Sequence, residues 1–504
     1  MTRQRAVAAL GLAAAFLAAS APFFVATTFL GDDHLFLAFA RHAVSPFRPF
    51  VSDLHGGEYY RPLWMLLWWL LGRSGAAWPF ALAALTLHAG ASLLVGGLLR
   101  ALARPLSVAV GAAVLFFLAP QNLAAALWFS ATTDLLATVL VLGALLALVR
   151  GRRVTASLAA LAAFLSKESA FVLPLLSLVA LGLRDRTDRT DREIPRRSPW
   201  IEIAPQVVLL AAVLAVRRGV LHGWGGSGDP RAGLAGTILQ IYAGFAQTFT
   251  GADVFPAPLA FAVGTMILAL ALFAIARRGR GAAPWAPFAF AAAAAAPLLA
   301  AGWAVGARYY YLPSIGLCWA VAEALSDAGP AARATLGAAL LLVGAAQAAE
   351  RREEVVSYQR RLAAARRAVA AGLGAGHHVF HVDGGIKDLD LAVKEDPTIE
   401  AAEVLVLSDV PASFAIVPPR FAAAASGLIA VPPLPPSGGY RFGDVQVVGL
   451  ARRGDEPDLD EALARFPDLR LIRLRSVRGG QVIARDLTDE IKRRLDGGRS
   501  DGQD

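Results

Sequence analysis

Residues 78–99 read WPFALAALTLHAGASLLVGGLL, a stretch with no charged side chain that ends against Arg100. As a helix it would rise about 33 Å, at roughly 1.5 Å per residue, which matches about 30 Å of bilayer hydrocarbon. Runs of the same kind recur on both sides of it, at 7–30, 105–119, 124–149, 154–165, 169–183, 200–216, 258–276, 282–301, 310–326 and 331–349. Together they predict an all-α polytopic membrane protein with about 11 transmembrane helices. The composition agrees. The chain is 56% hydrophobic and 17% charged, with a mean hydropathy of +0.52, whereas a soluble domain carries about 25% charged residues.

The net charge of +9 would fit nucleic acid if the basic residues formed a patch. They lie instead in the loops between apolar runs, where they orient a membrane protein. Threading the runs from a cytoplasmic N-terminus puts Arg100 and Arg104, Arg150, Arg152 and Arg153, the segment Arg184–Arg197, and Arg277, Arg278 and Arg280 inside. The other face receives scattered basics: Arg41, Arg48, Arg61, Arg73, Lys167, Arg217, Arg218, Arg231 and Arg308. This threading treats Tyr60–Leu71, which is aromatic but short, as a helix lying at the interface. Residues 236–250 read as a second one. Ala19-Ser20-Ala21 mimics a signal-peptide cleavage site, but the apolar run continues past it and further spans follow. Cys318 is the one cysteine, so no intrachain disulfide framework exists.

Four segments divide the chain. Residues 1–349 form the membrane domain and 350–376 a charged helical connector. Residues 377–496, with short runs at Val404–Leu407, Val445–Leu450 and Leu469–Leu474 between Pro/Gly turns, read as a small soluble α/β domain. Residues 497–504 read as a disordered tail. An odd number of spans places the C-terminal domain outside the cytoplasm.

Three clusters carry chemical potential, all on the non-cytoplasmic face. Asp32 and Asp33 follow the first run directly. Adjacent carboxylates repel, which raises one pKa and prepares a general base, although Asp is equally at home as a helix cap. Lys167 and Glu168 interrupt an apolar stretch, where a mid-bilayer charge costs about 2.5–3.5 kcal/mol. They mark either a polar cavity or a span boundary. Arg308 is followed by Tyr309, Tyr310 and Tyr311, which suits phosphate binding and interfacial anchoring alike. His88, inside the 78–99 run, reads as a packed, hydrogen-bonded histidine. His377, His378 and His381 lack the accompanying spacing that names a metal. No metal site is assigned from the sequence, and a divalent ion stays open.

The order Asp32-Asp33, Tyr60-Arg61-Pro62-Leu63, Leu87-His88, Ser166-Lys167-Glu168 and Arg308-Tyr309-Tyr310-Tyr311-Leu312-Pro313-Ser314 resembles the membrane half of GT-C glycosyltransferases. The match is nearest to the protein O-mannosyltransferase-like group with its transmembrane and tetratricopeptide-repeat (TMTC) members, and it covers residues 1–350. The resemblance implies a polyprenyl-phosphate-linked sugar donor, a hydroxyl acceptor on protein, glycan or lipid, and Asp32 and Asp33 as the catalytic pair. Arg308, Lys167 and Arg61 would bind the donor phosphate, supported by Glu168, Tyr309, Tyr310 and His88. The chain departs from the group where relatives carry His-Pro-x-His-x-Glu and a later Gly-Arg-x-Asp. Here the residues are Ala119-Pro120-Gln121-Asn122-Leu123-Ala124 and Ala131-Thr132-Thr133-Asp134. The tail also lacks helical repeats. A transporter or flippase for a lipid-linked glycan, or a non-catalytic membrane scaffold, are the competing readings. Alanine- and arginine-rich composition with short loops points to a bacterial inner membrane, with the C-terminal domain in the periplasm.

Overall fold

The structure is a computed structural model. It describes chiefly residues 59–187, 198–223, 233–250, 257–277, 284–301, 307–326 and 328–372, with short stretches before residue 52 and strands after residue 377. Thirteen helices are named here in chain order, among the described residues after residue 59. They are α1 (Pro62–Gly72), α2 (Trp78–Ala101), α3 (Leu106–Leu118), α4 (Pro120–Ala126), α5 (Thr132–Val149), α6 (Arg153–Phe164), α7 (Leu173–Thr187), α8 (Pro199–Leu221), α9 (Leu234–Gln247), α10 (Ala257–Arg277), α11 (Ala286–Ala301), α12 (Ser314–Ser326) and α13 (Pro330–Gly372).

Among the described residues four helices are long and apolar enough to cross a membrane: α2, α5 with its leading turn, α8 and α10. The pair α3 and α4, bent by 56° at Ala119-Pro120, makes a fifth if it is one span. The bend has a local cause: Pro120 donates no N–H and disfavours helical geometry in Ala119, whose ψ is 120°. Shorter apolar helices occupy Pro62–Gly72, Arg153–Phe164, Ala286–Ala300, Ser314–Ser326 and Ala331–Gln347. The expected first run at 7–30 lies almost wholly outside the described residues.

These helices bury alanine, leucine and phenylalanine toward one another and show large apolar side chains outward. Leu93 on α2, Val208 on α8, Leu270 and Phe273 on α10 and Leu342 on α13 are all exposed. An apolar outer surface is unfavourable in water and fits lipid, so the pattern belongs to a helical membrane protein. Close approach of backbones is set by small residues. A Cβ on Gly316 of α12 would run into the Pro287 carbonyl of α11.

Charged contacts fall at opposite ends of the bundle. At one end Arg184 of α7 pairs with Glu202 of α8 at 3.0 Å, Arg153 of α6 lies 3.8 Å from the same carboxylate, and Arg104 meets Glu323 of α12 at 3.6 Å. At the other end Arg217 of α8 pairs with Glu168 at 2.6 Å. Glu202 and Arg217 share one helix, and their spacing along it is about 22 Å at ~1.5 Å per residue. The end holding Arg217 is the site end below.

Helix α1 follows Arg61 and is short. One face, Trp64, Met65 and Trp68, is buried in an aromatic cluster with Phe29, Phe36, Phe80 and Phe129. Edge-on contacts such as Phe36 to Trp64 at 4.4 Å and Phe29 to Phe80 at 5.3 Å tie Phe29, Phe36 and α1 to the start of α2, and Phe129 in the turn before α5 packs in the same cluster.

Helix α13 runs through residues 349 and 350, where the sequence reading changes from membrane to connector, without a break. Beyond it the chain forms β1 (His378–Val382), β2 (Val404–Ser408), β3 (Phe414–Val417), β4 (Tyr440–Phe442), β5 (Val445–Gly449), β6 (Arg470–Val477) and β7 (Gln481–Asp486). One sheet has the order β2-β1-β6-β7, parallel except for β7. The other is antiparallel with the order β3-β5-β4. Most of the segment 377–496, expected as a small soluble α/β domain, lies outside the described residues.

Candidate active site

The start of α5 gathers three distant pieces of chain. Asp33 is fully buried, and its Oδ1 accepts the Ser130 backbone N–H at 2.7 Å and the Ser130 hydroxyl at 2.5 Å, in the turn Phe129–Ala131 that leads into α5. Thr132 accepts from Trp64 Nε1 of α1 at 3.0 Å. Thr133 donates to the Ser166 carbonyl at 3.0 Å, and the Leu63 N–H reaches the Leu165 carbonyl at 3.1 Å. The helical residue Asp33, the entry to α1 and the loop between α6 and the turn Glu168–Val172 are thereby pinned to one helix end.

That arrangement presents Lys167 to Asp134. The Lys167 Nζ lies 2.6 Å from both carboxylate oxygens, with both side chains buried. Burial lowers the Lys167 pKa to about 8. The Asp134 carboxylate works to raise it, and the nearby Arg61 and Arg308 lower it further.

Glu168 holds two guanidiniums. Its Oε2 accepts from Arg61 Nε at 2.8 Å and Nη2 at 2.7 Å, and its Oε1 accepts from Arg217 Nη1 at 2.6 Å. Burial alone would raise this carboxyl, but the two arginines outweigh it and hold it at about 2. Arg61 also covers the Tyr59 ring at 4.1 Å. Arg308, in the turn Ala307–Tyr310, lies over the Trp128 ring at 4.4 Å and donates to the Tyr309 hydroxyl at 3.3 Å. The Tyr309 ring lies 5.2 Å from Lys167 Nζ and bridges the two cations.

The remaining tyrosines have other duties. The Tyr310 hydroxyl donates to the Gln240 carbonyl of α9 at 2.8 Å, and its ring covers Gly244, where a Cβ would collide with it. His88 is buried on α2. Its Nε2 faces the Phe117 carbonyl at 3.0 Å, which can only accept, so Nε2 carries the proton and Nδ1 accepts from the Tyr311 hydroxyl at 2.6 Å. Ser314 extends the same buried region by donating toward Asn122 Oδ1 at 3.0 Å.

Of the sequence candidates, Asp33, Arg61, Lys167, Glu168, Arg308 and Tyr309 converge on the site end. Tyr310 and His88 brace the helices beside it. Asp32 lies outside the described residues. Sequence reasoning assigned no role to Asp134, Ser130 or Trp128, and placed Arg217 among the scattered basic residues of that face. Asp134 carried one usable signal: a lone acid in the apolar run 124–149 needs a partner. Among the described residues no group of three or more His, Cys, Asp or Glu side chains is arranged to hold a metal ion.

The chain is similar to two crystal structures of ArnT from Cupriavidus metallidurans. The first, bound to undecaprenyl phosphate, is 15% identical with a TM-score of 0.47, covering 90% of this chain and 99% of that one. The second, in the apo state, is 15% identical with a TM-score of 0.46, covering 90% of this chain and 100% of that one. A likeness at this level assigns neither residue nor activity. No protein-family model matches the chain, and no curated protein matches it.

Proposed function

We propose that the chain is a GT-C-like integral membrane glycosyltransferase of the protein O-mannosyltransferase-like kind. It moves a sugar from a polyprenyl-phosphate donor to a hydroxyl acceptor at the non-cytoplasmic face of a bacterial inner membrane. The observation carrying this reading is the convergence of Arg61, Lys167, Arg217 and Arg308 with the acidic first loop at one bundle end. Against those four cations stand the carboxylates of Asp33, Asp134 and Glu168, and the Asp32 base makes the count even. A phosphate with a lipid tail is the kind of ligand that clustered guanidinium and ammonium donors bind at the end of a lipid-facing bundle.

The roles follow from the chemistry. Asp32 is the general base that the resemblance implies, beside an Asp33 whose Oδ1 accepts from Ser130. Asp32 takes the proton of the acceptor hydroxyl as that oxygen bonds to the anomeric carbon. The bond from that carbon to the phosphate oxygen breaks, and its electrons leave with polyprenyl phosphate. A phosphate leaving group already carries negative charge near neutral pH, so it needs cations rather than a proton. Lys167 and Arg308 meet it, with Arg61 and Arg217 held alongside by Glu168. Fixed donors aimed at developing charge in a water-poor site are worth about 3–4 kcal/mol each. The prenyl chain stays in lipid throughout.

Proteoliposomes supplied with a panel of polyprenyl-phosphate sugars and hydroxyl acceptors test the reading through release of polyprenyl phosphate. Sugar-dependent release supports it. A folded protein that releases none from any donor sets it aside in favour of a transporter or scaffold.

A further inference from the structure

The chain uses arginine almost everywhere. Of 48 basic residues only four are lysines, and Lys167 is the only one before residue 387. Among the described residues this lysine lies in contact with Asp134 and near Arg61 and Arg308. Lysine differs from arginine in having a compact head, three donors on one nitrogen and a charge that burial can remove. Lys167 is 5% exposed and Asp134 is 4% exposed.

We infer that Asp134 is a positioning residue that keeps the Lys167 ammonium charged and aimed at the site end until the donor phosphate joins it as a second anion. The inference rests on the polyprenyl-phosphate reading for what Lys167 serves, though not for how the pair behaves.

The charges around Lys167 explain why it needs this partner. Arg61, just ahead of α1, and Arg308, in the turn Ala307–Tyr310, both act to remove its proton, and the Tyr309 ring lies beside it. The neighbouring Glu168 is taken up by Arg61 and Arg217. Asp134 is the carboxylate in direct contact, with both oxygens at 2.6 Å. It lies in the first turn of α5, where the helix dipole favours a negative charge. Two of the three ammonium donors serve Asp134, and the third remains for a phosphate oxygen. Without Asp134, a buried ammonium near two guanidiniums sheds its proton, and the site loses a cation without losing a side chain.

Lysine-labelled protein in nanodiscs provides a direct test, because four lysines give a spectrum in which Lys167 is identified by its loss in Lys167→Gln. The wild-type Lys167 signal titrates near 8. In Asp134→Asn the midpoint falls by about two pH units. Binding of undecaprenyl phosphate at about pH 7 then drops roughly tenfold and recovers as pH is lowered, each unit below the pH costing a factor of about ten in charged lysine. Asp134→Glu retains both properties. An unshifted midpoint in Asp134→Asn overturns the inference, as does a binding loss that is the same at every pH.

If Asp134→Asn does not fold, the double variant Asp134→Asn/Lys167→Gln buries no unpaired charge. Folding with undecaprenyl phosphate binding lost supports the inference, and folding with binding intact overturns it. A wild-type protein that does not bind undecaprenyl phosphate removes the donor reading alone, and the titration still decides the role of Asp134.

Discussion

Replacing Glu168 with Gln separates the two guanidiniums it holds from their shared counter-ion. Arg61 and Arg217 then face each other, with Lys167 and Arg308 nearby, across an amide that cannot balance them. A carboxyl held at about 2 rather than the ordinary 4.5 corresponds to about 3 kcal/mol of stabilisation at neutral pH. That agrees with the roughly 3–5 kcal/mol lost when one partner of a buried pair is removed. The side chain is 25% exposed, which places the expected loss at the lower end. The sign follows from the depressed pKa. The contribution is complete above the unfolded value of about 4.5 and disappears as pH falls through about 2. Thermal unfolding of wild type and Glu168→Gln in matched nanodiscs should therefore show a constant gap from neutral pH down to about 5, narrowing as pH is lowered further. A gap unchanged by acid would refute the reasoning, and so would no gap at neutral pH.

Other outcomes follow from the same geometry. Asp33→Ala leaves the Ser130 N–H buried without its acceptor and should cost about 1–3 kcal/mol, measured by denaturation, while Ser130→Ala removes only the hydroxyl and costs less. Gly244→Ala forces the Tyr310 ring off α9 and should lower stability by about 1–3 kcal/mol, with Tyr310→Phe restoring none of it because the ring remains. Lys167 binds its proton less tightly in the folded protein than in the unfolded chain, so its contribution to stability rises as pH climbs from about 8 toward 10.5. Lys167→Gln should abolish that rise in a pH-resolved unfolding series.

The sequence carried the helices clearly because lipid leaves few options. Twenty or so apolar residues in a row must bury their backbone polar groups within one helix. It also carried the site's members where a charge interrupts such a run, as at Lys167 and Glu168. The partners were not legible, because pairing in space is set by packing rather than spacing. Arg61 meets Glu168 across 107 positions, Arg217 meets it across 49, and Lys167 meets Asp134 across 33. Arg61 and Lys167 read as two phosphate ligands of one kind. In the structure one is held by a glutamate shared with Arg217 and the other by its own aspartate. The 60–71 segment read as a helix too short to span, and Trp64 and Trp68 in it turn inward to clamp the first loop, a role that hydropathy does not encode.

Release of polyprenyl phosphate from a polyprenyl-phosphate sugar by wild-type protein and by Asp32→Asn, reconstituted side by side in proteoliposomes, tests the central claim most directly. The account predicts sugar-dependent release by the wild type and a fall of about a hundredfold or more in the folded variant, the scale of a lost general base. Equal release by the two proteins would contradict it.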